Sequence, residues 1–169
     1  IARDKGLTNL LAAMELLRNE SRSPQLLVAG EHDPTDPLPS AVVECLDQPW
    51  VRFLGPMPDV LSVYHASDIF CLPSLREGFP IAPLEAASCG LPVVTTDATG
   101  CIDSVLDGCT GIVFRSGAVM ELTDALDELV NNAAKRQRMG AAGRSWIVAN
   151  FSTSDVVARA STFFTSASR

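Results

Sequence analysis

Five apolar runs of four to six residues, Gln25 to Gly30, Val51 to Gly55, Ile69 to Leu72, Pro92 to Thr96 and Gly111 to Phe114, alternate with stretches of a different character. The first of these runs, Gln25-Leu26-Leu27-Val28-Ala29-Gly30, has the profile of a strand buried on both faces of a parallel sheet. Before the first of them, Leu7, Leu10, Leu11, Met14 and Leu17 fall at helical spacing with Glu15, Arg18 and Asn19 opposite, which predicts a helix over 7–19. Glu31 to Pro39 carries three prolines and three acids and reads as a loop. A weak helix over 40–46 follows. The helix from Ile81 to Cys89 has Pro80 and Pro83 at its opening and Gly90 just past its end, the expected asymmetry of proline and glycine at helix termini. A long helical region starts at about Val119, and a final helix is expected from Asp155 to Phe164 before a small polar tail. Strands alternating with helices mean βα units, so the expected fold class is α/β with a doubly wound, mainly parallel sheet.

Composition bounds the function classes. The 169 residues hold 13 Lys and Arg against 20 Asp and Glu, a net charge of −7, which argues against a nucleic-acid partner. At 47% hydrophobic and 20% charged, the chain fills one core of ordinary size, so one domain over 1–169 is expected and a disordered chain is excluded. The five cysteines, Cys45, Cys71, Cys89, Cys101 and Cys109, are odd in number and never closer than eight positions, which fits neither a disulfide framework nor a paired zinc site. That points to a reducing compartment, the cytoplasm. No apolar stretch approaches the ~18 residues of a membrane span. The opening Ile1-Ala2-Arg3-Asp4-Lys5-Gly6 reads as the middle of a loop, so a fragment of a longer protein is the expectation.

In open α/β sheets ligands sit outside the carboxyl ends of the strands, at the loops after Gly30, Gly55, Leu72 and Thr96. The loop after Leu72 stands out: Pro73-Ser74-Leu75-Arg76-Glu77-Gly78-Phe79-Pro80 runs straight into the helix that contains Glu85. A glycine before a helix lets the backbone approach a ligand, and the free amides of the first turn form a phosphate site. Glu85 stands among Leu84, Ala86 and Ala87, a setting that reads as too apolar for an unpaired carboxylate, so donors such as ribose hydroxyls are expected near it. Glu77, on the loop itself, would reach a different hydroxyl beyond the phosphates. Leu54 and Gly55 are candidates to border a nucleobase, although a strand-end glycine looks the same in any βα unit. Arg3 and Arg76 read as solvent-facing, and His32 and His65 lack companions at metal spacing.

These residues resemble a known family, the GT-B glycosyltransferases of family 4, the retaining group that uses nucleotide sugars. The string Glu77-Gly78-Phe79-Pro80, Leu84-Glu85-Ala86-Ala87, Cys89-Gly90-Leu91-Pro92-Val93-Val94 reproduces that family's Glu-x7-Glu signature with its flanks. Further matches run along nearly the whole chain, among them Lys5-Gly6, Val51 to Gly55, Ala66 to Ser74 and Gly108 to Phe114. The resemblance implies a Rossmann-like domain, the C-terminal half of a GT-B fold. It implies that Glu85 binds the ribose, that Glu77 contacts the donor sugar, that Lys5 pairs with the diphosphate, and that the backbone of Gly78 and Phe79 reads phosphate or sugar oxygens. Lys5 and Glu77 are thus the candidate catalytic residues, and Glu85, Gly78, Phe79, Lys5, Leu54 and Gly55 the candidate nucleotide-binding ones. A companion arginine shortly before the lysine would fall ahead of Ile1, lost with the first strand, and the acceptor would bind an absent N-terminal domain.

The implied reaction moves a hexose or N-acetylhexosamine from a UDP- or GDP-sugar to a glycan or lipid-linked acceptor, with no cofactor and no metal, the cation clamp replacing Mg²⁺. The full-length enzyme would lie in the cytoplasm, peripheral at the inner face of the membrane. Two rivals stand beside this reading. A GT-B-like sugar-nucleotide epimerase or phosphorylase shares the fold, and the Glu-x7-Glu string argues against it. A non-catalytic nucleotide-binding module calls for acids at the strand ends, where only Glu31 and Asp33 are offered after Gly30.

Overall fold

The five short runs do become strands. The computed structural model describes residues 1–18, 24–151, 157 and 161–162. After a short 3-10 turn, Arg3–Lys5, come α1 (Leu7–Arg18), β1 (Leu26–Ala29), α2 (Ser40–Leu46), β2 (Val51–Gly55), α3 (Leu61–His65), β3 (Phe70–Leu72) and α4 (Ala82–Ser88). They are followed by β4 (Val93–Thr96), a second 3-10 turn (Ile102–Ser104), β5 (Gly111–Phe114), α5 (Val119–Asn131) and α6 (Ala133–Asn150). The expected helix from Asp155 to Phe164 lies outside the described residues apart from Val157, Ser161 and Thr162.

All strand pairs are parallel, as the alternation of strands and helices requires. They form two sheets rather than one: β1 pairs with β2, and β3, β4 and β5 pair in that order. Burial follows position. Central β4 is buried along its whole length, whereas β1 and β3, no less apolar, are mostly half-buried. Between β1 and β3 lies a cavity of about 1170 Å³.

The helices shut the core from outside. Leu10, Leu11, Met14 and Leu17 of α1 share one cluster with Leu122, Ala125, Leu126 and Leu129 of α5, and Leu122 and Leu129 are wholly shielded from water. The helical region read from about Val119 is two helices. Asn132 separates them, its side-chain carbonyl accepting the Lys135 amide at 2.9 Å as an N-cap. Small residues let α6 approach α4: Gly140 lies so close to the Gly90 carbonyl that a Cβ there would stand 1.9 Å from it, and Gly143 faces Ala87. Helix α3, which hydrophobic runs alone did not announce, begins where the Asp59 carboxylate accepts the Leu61 amide at 3.2 Å. Among the described residues no helix is long and apolar enough to cross a membrane.

Candidate functional site

Gly6 brings the first turn against the loop after β3. It has a φ of 69°, and a Cβ there would lie 2.0 Å from the carbonyl oxygen of Pro73, so only glycine permits the approach. Alongside, the Leu75 amide donates to the Asp4 carbonyl at 2.7 Å. The consequence is a contact across 72 positions of sequence: Lys5 Nζ donates to Glu77 Oε1 at 2.7 Å. The fully buried Ser74 donates its hydroxyl to the same Oε1 at 2.8 Å. Its own carbonyl accepts from Thr96 Oγ1 at 2.6 Å, which ties the loop to the end of β4. Gly100 supports the far side of the loop, its α-carbon packed against the Gly78 carbonyl where a Cβ would stand 1.9 Å away.

The Glu77 side chain keeps 13% of its exposure and Lys5 42%, so the pair is sheltered on the carboxylate side and open on the ammonium side. Glu77 Oε1 is saturated, while Oε2 has no partner among the described residues and can accept from a ligand. The amides of Gly78 and Phe79 likewise meet no acceptor among the described residues. Lys5, the Glu77 carboxylate and the Gly78 and Phe79 amides, unpartnered among the described residues, thus lie at the carboxyl end of β3, where an open α/β sheet holds its ligand. The helix that follows is only seven residues long. Its dipole is correspondingly small, and the Lys5 ammonium is the larger positive charge beside the loop.

The expectation of a buried Glu85 is corrected by the structure. Helix α4 turns Pro83, Ala86 and Ala87 inward and leaves Glu85 exposed, because its few turns have one apolar stripe and Glu85 is off it. A protein donor is also present: the Tyr64 hydroxyl donates to Glu85 Oε2 at 2.9 Å. Tyr64 itself is 5% exposed and meets Phe70 edge-on, with ring centroids 5.9 Å apart. Burial, and then the Glu85 carboxylate beside it, raise the phenol pKa above its ordinary value, so the tyrosine stays a hydrogen-bond donor. Glu85 therefore needs no ligand to be satisfied, and its Oε1 has no partner among the described residues. Lys5, Tyr64 and Glu85 line the same cavity.

Other expected residues stand further off. Leu54 and Gly55 end β2, which pairs with β1, and the Gly55 carbonyl accepts the Gly30 amide at 2.8 Å. Phe79 is half open to solvent and stacks on Phe151. Arg3 turns to Asp36 and the Pro37 carbonyl, and the exposed Arg76 lies 3.8 Å from Asp4, so neither points at Glu77, as their solvent-facing reading expected. Sequence reasoning missed the parts played by Tyr64, Ser74 and Thr96. Val60, Val63 and Tyr64 at helical spacing after Asp59 were a usable signal for the first. The other two are small polar residues ending apolar strands, which nothing in a one-dimensional pattern marks as supports.

The family model described as "Glycosyl transferases group 1" matches residues 1–146. Among curated relatives, the chain is 29% identical over 154 residues to the capsular polysaccharide biosynthesis glycosyltransferase CapM of Staphylococcus aureus, covering 90% of this chain and 40% of that protein. It is 29% identical over 168 residues to a GDP-mannose-dependent alpha-(1-6)-phosphatidylinositol monomannoside mannosyltransferase of Mycobacterium tuberculosis, covering 94% of this chain and 44% of the other. The structure of Anabaena Alr3699/HepE in complex with UDP and glucose superposes with a TM-score of 0.87 at 20% identity, over 98% of this chain and 46% of that one. The fold is shared with that structure, and the chain spans less than half the length of each of these proteins.

Proposed function

Because the chain belongs to the glycosyl transferases group 1 family, we propose that it is the C-terminal, donor-nucleotide-binding domain of a retaining family 4 glycosyltransferase. In this reading the full-length protein has an N-terminal domain that supplies the acceptor site. It transfers a hexose or N-acetylhexosamine from a UDP- or GDP-sugar to a glycan or lipid-linked acceptor. The observation that carries the reading is the Lys5–Glu77 pair at the carboxyl end of β3 beside two unused amides.

Binding of the donor exchanges partners in this pair. Lys5 Nζ moves to the diphosphate, and Glu77, still held by Ser74, accepts a hydroxyl of the donor sugar. The Gly78 and Phe79 amides donate to phosphate or sugar oxygens. Glu85, oriented by Tyr64, accepts from the ribose. During transfer the bond from the sugar's anomeric carbon to the diphosphate oxygen breaks, the acceptor oxygen bonds to that carbon, and the acceptor hydroxyl proton passes to an oxygen of the departing diphosphate. Charge grows on the leaving diphosphate, where the Lys5 ammonium stabilises the transition state more than the ground state. No metal takes part, and the enzyme works in the cytoplasm, peripheral to the membrane.

Calorimetry with UDP and GDP, with and without EDTA, tests the binding mode; a strict requirement for Mg²⁺ contradicts it. Two substitutions then separate the carboxylates. Glu85→Gln removes a charge-assisted bond of ~1.5–3 kcal/mol, so plain nucleotide binds about 10- to 150-fold more weakly. Glu77→Gln leaves UDP or GDP affinity nearly unchanged and weakens the intact sugar nucleotide. If Glu85 serves only to pair with Tyr64, its substitution moves the melting temperature and leaves nucleotide affinity unaltered. Equal weakening of free nucleotide by both variants shows that sugar and ribose are assigned the wrong way round. The chain from Ile1 to Arg169 alone binds nucleotide weakly and transfers no sugar.

A further inference from the structure

The loop that carries Glu77 is gripped from three sides. Ser74 holds the Glu77 carboxylate at 2.8 Å, and Gly100 packs against the Gly78 carbonyl. The third grip is aromatic and comes from the end of α6. The Phe79 ring stacks on Phe151, with centroids 6.1 Å apart and planes inclined by 24°, and Phe151 meets the Trp146 ring edge-on at 5.1 Å. Both arrangements are ones that aromatic pairs favour. Phe79 still keeps 46% of its exposure, so little of the core's stability depends on it.

Phe151 is a fixed anchor. Its amide donates to the Ile147 carbonyl at 2.8 Å, which closes the last turn of α6, and the Asn150 side chain donates to the Trp146 carbonyl at 2.9 Å. Helix α6 is itself seated on α4, where Gly140 meets the Gly90 carbonyl and Gly143 faces Ala87. Helix α4 is the one into which the Glu77 loop runs. An element locked to that helix thus reaches back over the loop before it.

Between Glu77 and Pro80 the chain offers one side chain to hold, because Gly78 has none. Glycine also leaves the backbone its widest freedom, so the peptide planes beside Gly78 are set by what fixes their neighbours. The Gly78–Phe79 peptide is trans, which turns its carbonyl and its N–H to opposite sides. With the Gly78 carbonyl against Gly100, the Phe79 amide points away from Gly100, and the seat of the Phe79 ring fixes the tilt of that plane. We infer that Phe151 is a positioning residue: by stacking on Phe79 it holds the Phe79 amide, and with it the Gly78 amide, in the direction from which they donate to the donor's phosphate oxygens. The inference rests on the reading of those amides as the phosphate contact. Amides already aimed meet an anion without a further cost of ordering the loop. Phe151 therefore acts through Phe79, without touching the donor.

Calorimetry on the full-length enzyme tests this with the nucleoside diphosphate that binds, UDP or GDP, and with the matching nucleoside. Phe151→Leu keeps an apolar side chain but loses the stack, and it is expected to weaken the diphosphate about tenfold while leaving the nucleoside unchanged. Phe151→Tyr keeps the ring and restores the affinity for the diphosphate. Phe79→Leu breaks the same stack from a side chain half open to solvent, so folding is not at stake, and it weakens the diphosphate by a similar factor. Because the two rings act as one unit, the double variant is no weaker than either single one. A loss shared equally by diphosphate and nucleoside, a change in melting temperature alone, or losses that multiply in the double variant overturns the inference. Equal affinity of the unaltered enzyme for diphosphate and nucleoside removes the phosphate reading itself, and the inference with it.

Discussion

Replacing Lys5 by alanine in the full-length enzyme is expected to lower kcat/KM for the intact sugar nucleotide by roughly 10²–10³-fold, the usual cost of removing one preorganised group that meets developing charge. Plain uridine or guanosine, which lacks the diphosphate, is expected to bind unchanged. The difference isolates the charge that Lys5 meets. Lys5→Arg retains the cation but alters its reach and geometry, and recovers part of the loss. Stability is expected to move little, because the ammonium is 42% exposed and Ser74 still holds the Glu77 carboxylate. Steady-state kinetics paired with calorimetry on the nucleoside check all three points, and equal losses for nucleoside and sugar nucleotide refute the assignment.

The second large effect is structural. Gly6→Ala places a methyl group 2.0 Å from the Pro73 carbonyl at a φ of 69°. Left-handed backbone and overpacking each cost about 1–3 kcal/mol, so destabilisation on the order of 3 kcal/mol is expected. Gly117→Ala is the control. Its φ is 82°, yet nothing lies within 4 Å of the added carbon, so it bears the backbone cost alone. Urea unfolding of the two variants separates the terms. Gly6→Ala should also displace Lys5 from Glu77 and weaken the sugar nucleotide, whereas Gly117→Ala should not. Similar destabilisation by both variants removes the argument that Gly6 exists for the approach of the two loops.

These two positions show why legibility varied along the chain. Lys5, Glu77 and Glu85 could be picked out by a resemblance and by their place beside strand ends. That Lys5 bonds to Glu77, 72 positions away, depends on Gly6 and Gly100 allowing two loops to touch. Glu85 was misjudged for a related reason. Alanine and leucine neighbours in sequence suggested burial, but a helix places adjacent residues about 100° apart, and only Pro83, Ala86 and Ala87 turned inward.

The sequence by itself determined the five strands, their parallel direction and the α/β class, because short strand runs alternating with helices can pair only as parallel βα units. It also determined the helices with strong periodicity and the loop on which Glu77 stands. The tertiary structure alone decided that the Tyr64 hydroxyl serves Glu85, that Ser74 and Thr96 brace Glu77, and that Lys5 meets Glu77 across two loops. Periodicity reports which side of an element meets apolar surroundings. Which distant element supplies those surroundings is fixed only when close approach at particular glycines and the packing of helices on the strands are satisfied together.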